Sequence, residues 1–229
     1  MMQDWESYWK TVVEKGEENR IFWDTSPELA ALEDLDRFKS FMNPDLPLLD
    51  LGCGTGKQTR FLARHFPHVV GVDISSSVIQ LAQEESEGVT NVEFMVLDAV
   101  KAEEAAAFHR IFGDVNIYMR GVLQTIKERD RRIFVSNLET LLGEKGVLYQ
   151  IELPTKAFYY LREMPEEMWS AIPKVLRRVG FNLEDRTDYF PDDRWNVLNE
   201  GDNVTMHTVE FQGSANGGLP ANFLVLKPK

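Results

Sequence analysis

Short apolar runs alternate with amphipathic stretches through the central part of the chain. Five runs are apolar on both faces and are bounded by turn residues, which predicts buried parallel strands over 47–51, 68–73, 92–98, 114–119 and 146–153. The stretches between them place apolar residues three and four positions apart, as amphipathic helices do. The alternation predicts an α/β protein, with a mostly parallel sheet flanked by helices.

The N-terminal segment carries aromatic residues on one face of a predicted helix. Trp5 and Trp9 lie at helical spacing within residues 3–14, and Trp23 follows after a polar turn. These side chains either pack against the sheet or form a lid over a ligand cleft, and the two roles are compatible. A second helix is predicted to begin at 26–27, where a Ser cap precedes a Pro.

The C-terminal part gives a weaker pattern. The segment 154–164 contains Tyr159 among other aromatic residues, and we interpret it as a second cover over the crevice. A helix with an internal proline is predicted over 166–179 and a strand near 182–188, with a last strand close to the C-terminus. Between these two strands the segment 191–218 reads as irregular, and the sequence assigns it no role.

The first central run ends in an acid and three alternating glycines. Asp50 is followed by Gly52, Gly54 and Gly56, which form a tight turn from the strand into a helix. Glycines leave no Cβ where a ligand must lie against the backbone, and the helix start offers free N–H groups. An acid beside this turn would repel a pyrophosphate but would suit a ligand with its own positive charge, such as an ammonium or a sulfonium. The alternative is an ordinary tight turn of an α/β protein.

The next two strands also end in acids. Asp73 follows Gly52 by 21 residues, a position from which a carboxylate can accept both hydroxyls of a ribose. Its alternative role is to cap the helix that follows. Asp98 ends the third strand, where it could meet an adenine amino group or could be an ordinary loop aspartate.

Composition limits the possible partners. The 229 residues suit one domain, and the net charge of −12 argues against nucleic acid as the main partner. The single cysteine, Cys53, can form neither an internal disulfide nor a Cys-rich metal site, and we predict no metal. The sequence shows no secretory signal and no apolar run near the ~18 residues of a membrane span, so we expect a cytoplasmic protein that does not bind membranes. Within the domain we expect a lid over 1–44, a cofactor-binding core over 45–153 and acceptor-side insertions over 154–229.

The chain resembles the class I S-adenosylmethionine-dependent methyltransferases. The resemblance rests on Leu-Leu-Asp-Leu-Gly-Cys-Gly-Thr-Gly at 48–56, Val-Val-Gly-Val-Asp-Ile-Ser at 69–75, Val-Glu-Phe-Met-Val-Leu-Asp-Ala at 92–99 and the strand at 114–119, in the same order and spacing. It implies a Rossmann-like, seven-stranded sheet of order 3-2-1-4-5-7-6 with strand 7 antiparallel.

The resemblance also implies a set of cofactor-binding residues for S-adenosylmethionine. The glycines would line its methionine part, and the backbone after Met119 would approach the methionine end. Asp73 would bind its ribose, and Ile74, Asp98 and Ala99 would surround its adenine. The N-terminal Trp-x-x-x-Trp is similar to the helix that covers the cofactor in thiopurine-type small-molecule methyltransferases. The full predicted set is Asp50, Gly52, Cys53, Gly54, Gly56, Asp73, Ile74, Asp98, Ala99, Arg120, Trp5 and Trp9.

The acceptor side departs from the family pattern. Many relatives have histidines after the fourth strand, whereas this chain has Gln124, so a histidine base is absent there and no catalytic residue is predicted. Arg120 could hold an anionic acceptor or form a surface ion pair. We expect Trp23, Gln124 and Tyr159 to contact the acceptor, which we expect to be a small molecule methylated on O, N or S. A protein acceptor, or a non-methylating use of the cofactor, are the alternatives, and the sequence does not indicate an oligomeric state.

Overall fold

A computed structural model of the chain describes residues 2–16, 21, 23–161, 180–208 and 217–229, with only the backbone described for 2–4 and 158. Seven strands form one sheet. They are β1 Leu48–Leu51, β2 Val69–Asp73, β3 Val92–Val96, β4 Asn116–Arg120, β5 Leu148–Glu152, β6 Trp195–His207 and β7 Gly218–Pro228.

The strand order is β3-β2-β1-β4-β5-β7-β6, as the sequence resemblance implied. The first five strands are parallel, and β7 runs antiparallel to both β5 and β6. The order reverses between β1 and β4, so a crevice opens at the carboxyl ends of these strands, where ligands bind in sheets of this kind.

Helices cover both faces of the sheet. They are α1 Met2–Lys15, α2 Ala31–Phe38, α3 Lys57–Leu62, α4 Ser76–Glu84, α5 Ala102–Phe112, α6 Glu128–Leu142 and α7 Phe158–Leu161. Short 3₁₀ helices occur at Lys39–Phe41, Leu123–Thr125, Thr155–Ala157 and Leu183–Asp188. No helix in the described part of the chain is long and apolar enough to cross a membrane.

Alternate residues of the central strands supply two cores, one on each face. On one face Leu48, Tyr118 and Tyr149 pack under α2 and α3, and on the other Leu49 and Ile117 pack under α5 and α6. All are fully buried. This two-sided burial explains why the strands are continuous apolar runs.

Three predictions for the ends of the chain need correction. The second helix begins at Ala31, because 27–30 forms turns instead. The strand near 182–188 is wrong: Leu183–Asp188 is a 3₁₀ helix, since its charged residues lack an alternating apolar face. The segment 191–218 is not irregular throughout, because β6 covers Trp195–His207, whereas 209–216 lie outside the described residues. The predicted helix over 166–179 lies outside the described residues.

Candidate cofactor and acceptor site

A cleft at the carboxyl ends of β1 to β4 encloses about 1580 Å³ of empty space, counting its open mouth. Two of the sequence-predicted site residues, Gly56 and Tyr159, do not line it. Those that do are Asp50, Gly52, Cys53, Gly54, Asp73, Ile74, Asp98, Ala99, Arg120, Trp5, Trp9, Trp23 and Gln124. Tyr159 is 73% exposed on α7, so the structure does not bring it to the acceptor side.

The glycine turn after β1 has backbone angles that require glycine. Gly52, Gly54 and Gly56 have φ values of 80°, 53° and 76°. A Cβ on Gly52 would lie 2.6 Å from a methyl of Val122, so this glycine also keeps the turn close to the segment after β4. A Cβ on Gly56 would lie 2.7 Å from the Phe94 ring, away from the cleft. The third glycine therefore serves packing behind the loop.

Two buried carboxylates meet at this turn. Asp50 accepts a 2.5 Å hydrogen bond from the Thr59 hydroxyl, and Asp73 accepts backbone N–H groups of Ser75 at 3.0 Å and Gly54 at 3.3 Å. Burial raises the pKa of Asp50 to about 7 and that of Asp73 to about 6. The same burial raises the pKa of the Cys53 thiol well above its usual value. A cation in the cleft would favour the ionised form of both acids.

Hydrogen bonds to neighbouring residues fix the loop after β3. The Asp98 carboxylate accepts the Val100 N–H at 3.1 Å, and the Asn137 amide of α6 donates to the Ala99 carbonyl at 2.9 Å. Glu104 accepts the Asp98 N–H at 2.7 Å. These bonds hold Asp98 and Ala99 at the cleft wall and leave lone pairs of the Asp98 carboxylate available.

The N-terminal helix lies over the glycine turn. Trp9 is 3% exposed and lies against Gly54, and its ring is 6.4 Å from that of Trp23, at nearly a right angle. Glu6 of α1 accepts hydrogen bonds from the hydroxyls of Ser75 at 2.7 Å and Ser77 at 2.6 Å. The helix is thereby attached to the start of α4, two residues beyond Asp73.

Two kinds of comparison bear on the family. Residues 48–146 match the family model of a methyltransferase domain. A solved structure of an S-adenosylmethionine-dependent methyltransferase from Anabaena variabilis is 32% identical and has a TM-score of 0.88, with the match covering all of this chain and 95% of that one. The chain belongs to the class I S-adenosylmethionine-dependent methyltransferases. Its cofactor is S-adenosylmethionine.

The curated relatives of this methyltransferase are less completely covered. Phosphoethanolamine N-methyltransferase 1 of Arabidopsis thaliana is 37% identical over 188 residues, which are 75% of this chain and 37% of that protein. A carboxy-S-adenosyl-L-methionine synthase of Helicobacter pylori is 29% identical over 126 residues, 53% of this chain and 49% of that one. The chain thus spans about half or less of the length of these relatives.

The cleft of the methyltransferase fits this cofactor. Gly52 and Gly54 let the turn pack closely against Val122 and Trp9, and Asp50 and Asp73 line the same cleft with carboxylates that suit a positively charged ligand. Each oxygen of Asp73 accepts a backbone N–H, from Ser75 on Oδ1 and from Gly54 on Oδ2, which fixes the carboxylate at the edge of the cleft.

A buried polar cluster supports the other half of the cleft. Asp34 of α2 accepts hydrogen bonds from Tyr118 at 2.7 Å and Tyr149 at 2.6 Å, and Arg37 at 2.8 Å. Arg120 contacts Asp34 at 3.3 Å. Its other terminal nitrogen donates to the His207 carbonyl at 2.5 Å. Arg120 therefore lines the cleft, and Asp34 balances its positive charge.

The segment after β4 is held by a single carboxylate. Glu152, fully buried at the end of β5, accepts the backbone N–H groups of Val122, Leu123 and Gln124 at 2.9–3.0 Å. The Gln124 side chain accepts the Leu153 N–H at 2.6 Å. Gln124 therefore joins the ends of β4 and β5.

Sequence reasoning missed Glu6, Asp24 and Asp34, and gave Glu152 no role. Asp24 lines the cleft beside Trp23, where its Oδ2 binds Lys57 and the Thr55 hydroxyl, each at 3.0 Å. The position of Asp24 is the one sequence feature that could have indicated it, because Asp24 directly follows Trp23, which was predicted to help cover the cleft. The partners of these acids are distant in sequence, and no local pattern shows them.

Proposed function

We propose that this methyltransferase transfers the methyl group of S-adenosylmethionine to a small-molecule acceptor. The observation that carries the proposal is the shape of the cleft, which continues past the glycine turn into a second, largely apolar half. This half is lined by Trp23, Tyr118, Leu153, Ala157, Leu161 and Met206. Because it is enclosed by side chains of the lid and the sheet, it favours a compact ligand over an extended polypeptide.

The residues of the cofactor half have distinct roles in this proposal. Asp73 accepts the ribose hydroxyls, Ile74 and Asp98 border the adenine, and the glycine turn holds the methionine part beside Asp50. Trp5 and Trp9 cover the site and exclude water from it. Bound S-adenosylmethionine supplies an already activated methyl group, so these residues contribute by alignment and by exclusion of water.

The acceptor class is inferred from relatives as well as from geometry. The Arabidopsis relative is named for phosphoethanolamine, a small amine, and the match spans three quarters of this chain. The Helicobacter pylori relative is named as a synthase of a modified cofactor, which keeps a non-methylating reaction as the alternative. Arg120 is a candidate contact for an anionic group of the acceptor.

The test is a turnover assay with methyl-deuterated S-adenosylmethionine and four acceptors: phosphoethanolamine, p-cresol, benzoate and thiophenol. We expect S-adenosylhomocysteine and a deuteromethylated product with at least one acceptor. Asp73→Ala serves as the control with a weakened cofactor site. Label that appears only on added protein would indicate a protein methyltransferase, and cofactor binding without any label would refute methyl transfer.

A further inference from the structure

The second half of the cleft contains one acid that the cofactor does not require. Asp50, Asp73 and Asp98 all lie on the wall formed by the ends of β1, β2 and β3. Asp24 instead comes from the N-terminal segment, next to Trp23. Trp23 packs both on the α1 cluster and on the core that includes Leu153 and Met206. Asp24 thus lies between the glycine turn, which it contacts through Thr55, and the apolar half of the cleft, which its neighbour Trp23 lines.

Within the part of the chain that the structure describes, the fold supplies partners to one oxygen of the Asp24 carboxylate, Oδ2. Lys57 and Thr55 both contact Oδ2, while Oδ1 has no partner among the described residues. The side chain is 9% exposed and lines the cleft, so Oδ1 is available to a ligand or to water in the cleft. A largely buried carboxylate with one unused oxygen favours a ligand that donates a hydrogen bond there.

A second unpaired acceptor lies close by. Gln58 also lines the cleft, and its amide nitrogen donates to the carbonyl of Thr25, the residue after Asp24, at 3.0 Å. Its Oε1 is buried without a donor in the described part of the chain. Two acceptors with open lone pairs indicate a ligand that carries N–H or O–H groups.

We propose that Asp24 is the catalytic base of the reaction, and that the acceptor is an amine or a hydroxyl compound whose N–H or O–H faces Asp24 Oδ1. This inference rests on the proposed methyl transfer. The acceptor nitrogen or oxygen forms a bond to the methyl carbon, and the carbon–sulfur bond breaks with its electron pair going to sulfur. The acceptor proton moves to Asp24 Oδ1 and is then released to water.

The surroundings of Asp24 suit this role. Burial raises its pKa above the usual value of an aspartate, while Lys57 opposes the rise and Glu85 adds to it. A base with a pKa nearer the working pH transfers protons more effectively. Arg120, Asp50 and Asp73 line the same cleft, and within its described lining there is no histidine to act instead.

The experiment compares Asp24→Asn with wild type across the four acceptors, and uses Asp45→Asn, an exposed acid before β1, as the matched control. We expect turnover of phosphoethanolamine or p-cresol, and a fall in kcat of at least ~100-fold in Asp24→Asn. Calorimetry should show unchanged affinity for S-adenosylhomocysteine. Lys57→Gln should move the acidic limb of the pH–rate profile to higher pH, and carbon NMR of the labelled Asp24 carboxyl should show the same shift without turnover.

Each other outcome overturns the inference in a different way. Methylation of only benzoate or thiophenol, which are already ionised, would remove the need for a base while leaving methyl transfer intact. An equal loss of cofactor affinity in Asp24→Asn would assign Asp24 to the cofactor. Wild-type turnover that Asp24→Asn does not change would exclude the role directly. Absence of turnover with every acceptor would refute the proposed function, and with it the role of Asp24 as the base.

Discussion

Glu6 attaches the aromatic helix α1 to the start of α4, and replacing it should loosen the lid. Glu6→Gln keeps the shape of the side chain but removes its charge. The carboxylate accepts two short hydrogen bonds from the Ser75 and Ser77 hydroxyls, and two longer ones from the Ser76 hydroxyl at 3.3 Å and the Ser77 N–H at 3.4 Å. These bonds, chiefly the one from the Ser77 hydroxyl, lower the pKa of Glu6, so the group is ionised at neutral pH.

The magnitude follows from the short bonds. A hydrogen bond to a charged group contributes roughly 1.5–3 kcal/mol and a neutral one roughly 0.5–1.5, so the substitution costs about 1 kcal/mol for each short bond. Loss of the negative charge at the N-terminus of α4 adds roughly 0.3–1 kcal/mol. Solvent screens this partly exposed site, and we therefore expect a total of about 1–2 kcal/mol. If docking of α1 limits cofactor binding, affinity should fall roughly 5- to 30-fold.

Two measurements on the same protein check this value. Calorimetry gives the affinity for S-adenosylhomocysteine, and hydrogen exchange of the α1 amides reports the opening of the lid. Glu14→Gln is the matched control, because Glu14 lies on the same helix and, within the part of the chain that the structure describes, has only an exposed contact with Lys10 at 3.9 Å. Unchanged exchange and affinity in Glu6→Gln would refute the reasoning. A collapse of the melting temperature would show that α1 is part of the core and not a lid.

Four further results are expected. Asp73→Ala should weaken binding of S-adenosylhomocysteine by roughly 1.5–3 kcal/mol, and unchanged affinity in calorimetry would remove the ribose assignment. Because burial raises the pKa values of Asp50 and Asp73 to about 7 and 6, both acids ionise between pH 5 and pH 8. Affinity for the S-adenosylmethionine cation should therefore rise over this range, and should rise more than affinity for S-adenosylhomocysteine. The free energy of unfolding of the free protein should fall over the same range, as urea titrations at several pH values would show. Glu152→Gln should cost roughly 1–3 kcal/mol of unfolding free energy, because its amide meets a backbone N–H with another donor, and a Tm equal to wild type would contradict this. Gel-shift assays at about 150 mM salt should show no specific duplex DNA binding, given the net charge of −12, and nanomolar affinity would overturn this expectation.

The centre of the fold could be predicted because its signals are local. Each parallel strand is a short run that is apolar on both faces. Asp50 and Asp73 lie at the ends of β1 and β2, and Asp98 lies two residues beyond β3. The carboxyl ends of parallel strands lie at one edge of the sheet, so sequence order alone brings these acids together. The strand order, including the antiparallel β7, came from the family resemblance and is confirmed.

The remaining parts depend on contacts that are distant in sequence. Asp34 is separated from Tyr118 by 84 residues and from Tyr149 by 115, and its neighbours in sequence give no sign of either. Asp24 resembles any polar turn residue until the fold places it beside Thr55. β6 was missed because it pairs only with β7, and its outward residues are polar, so its apolar pattern is incomplete.

The course of β6 bears on how the protein behaves at high concentration. It is the outermost strand of the sheet, and an outer strand of 13 residues exposes backbone groups to which another chain can add. Its pairing with β7 shifts register between Val197 and Asn199 and again between Gly201 and Val204, with Asn203 at a φ of 55°. These interruptions bend the strand, and a bent edge is a poor template for a second copy. The geometry of β6, together with the repulsion between strongly acidic surfaces, therefore opposes aggregation through the sheet edge.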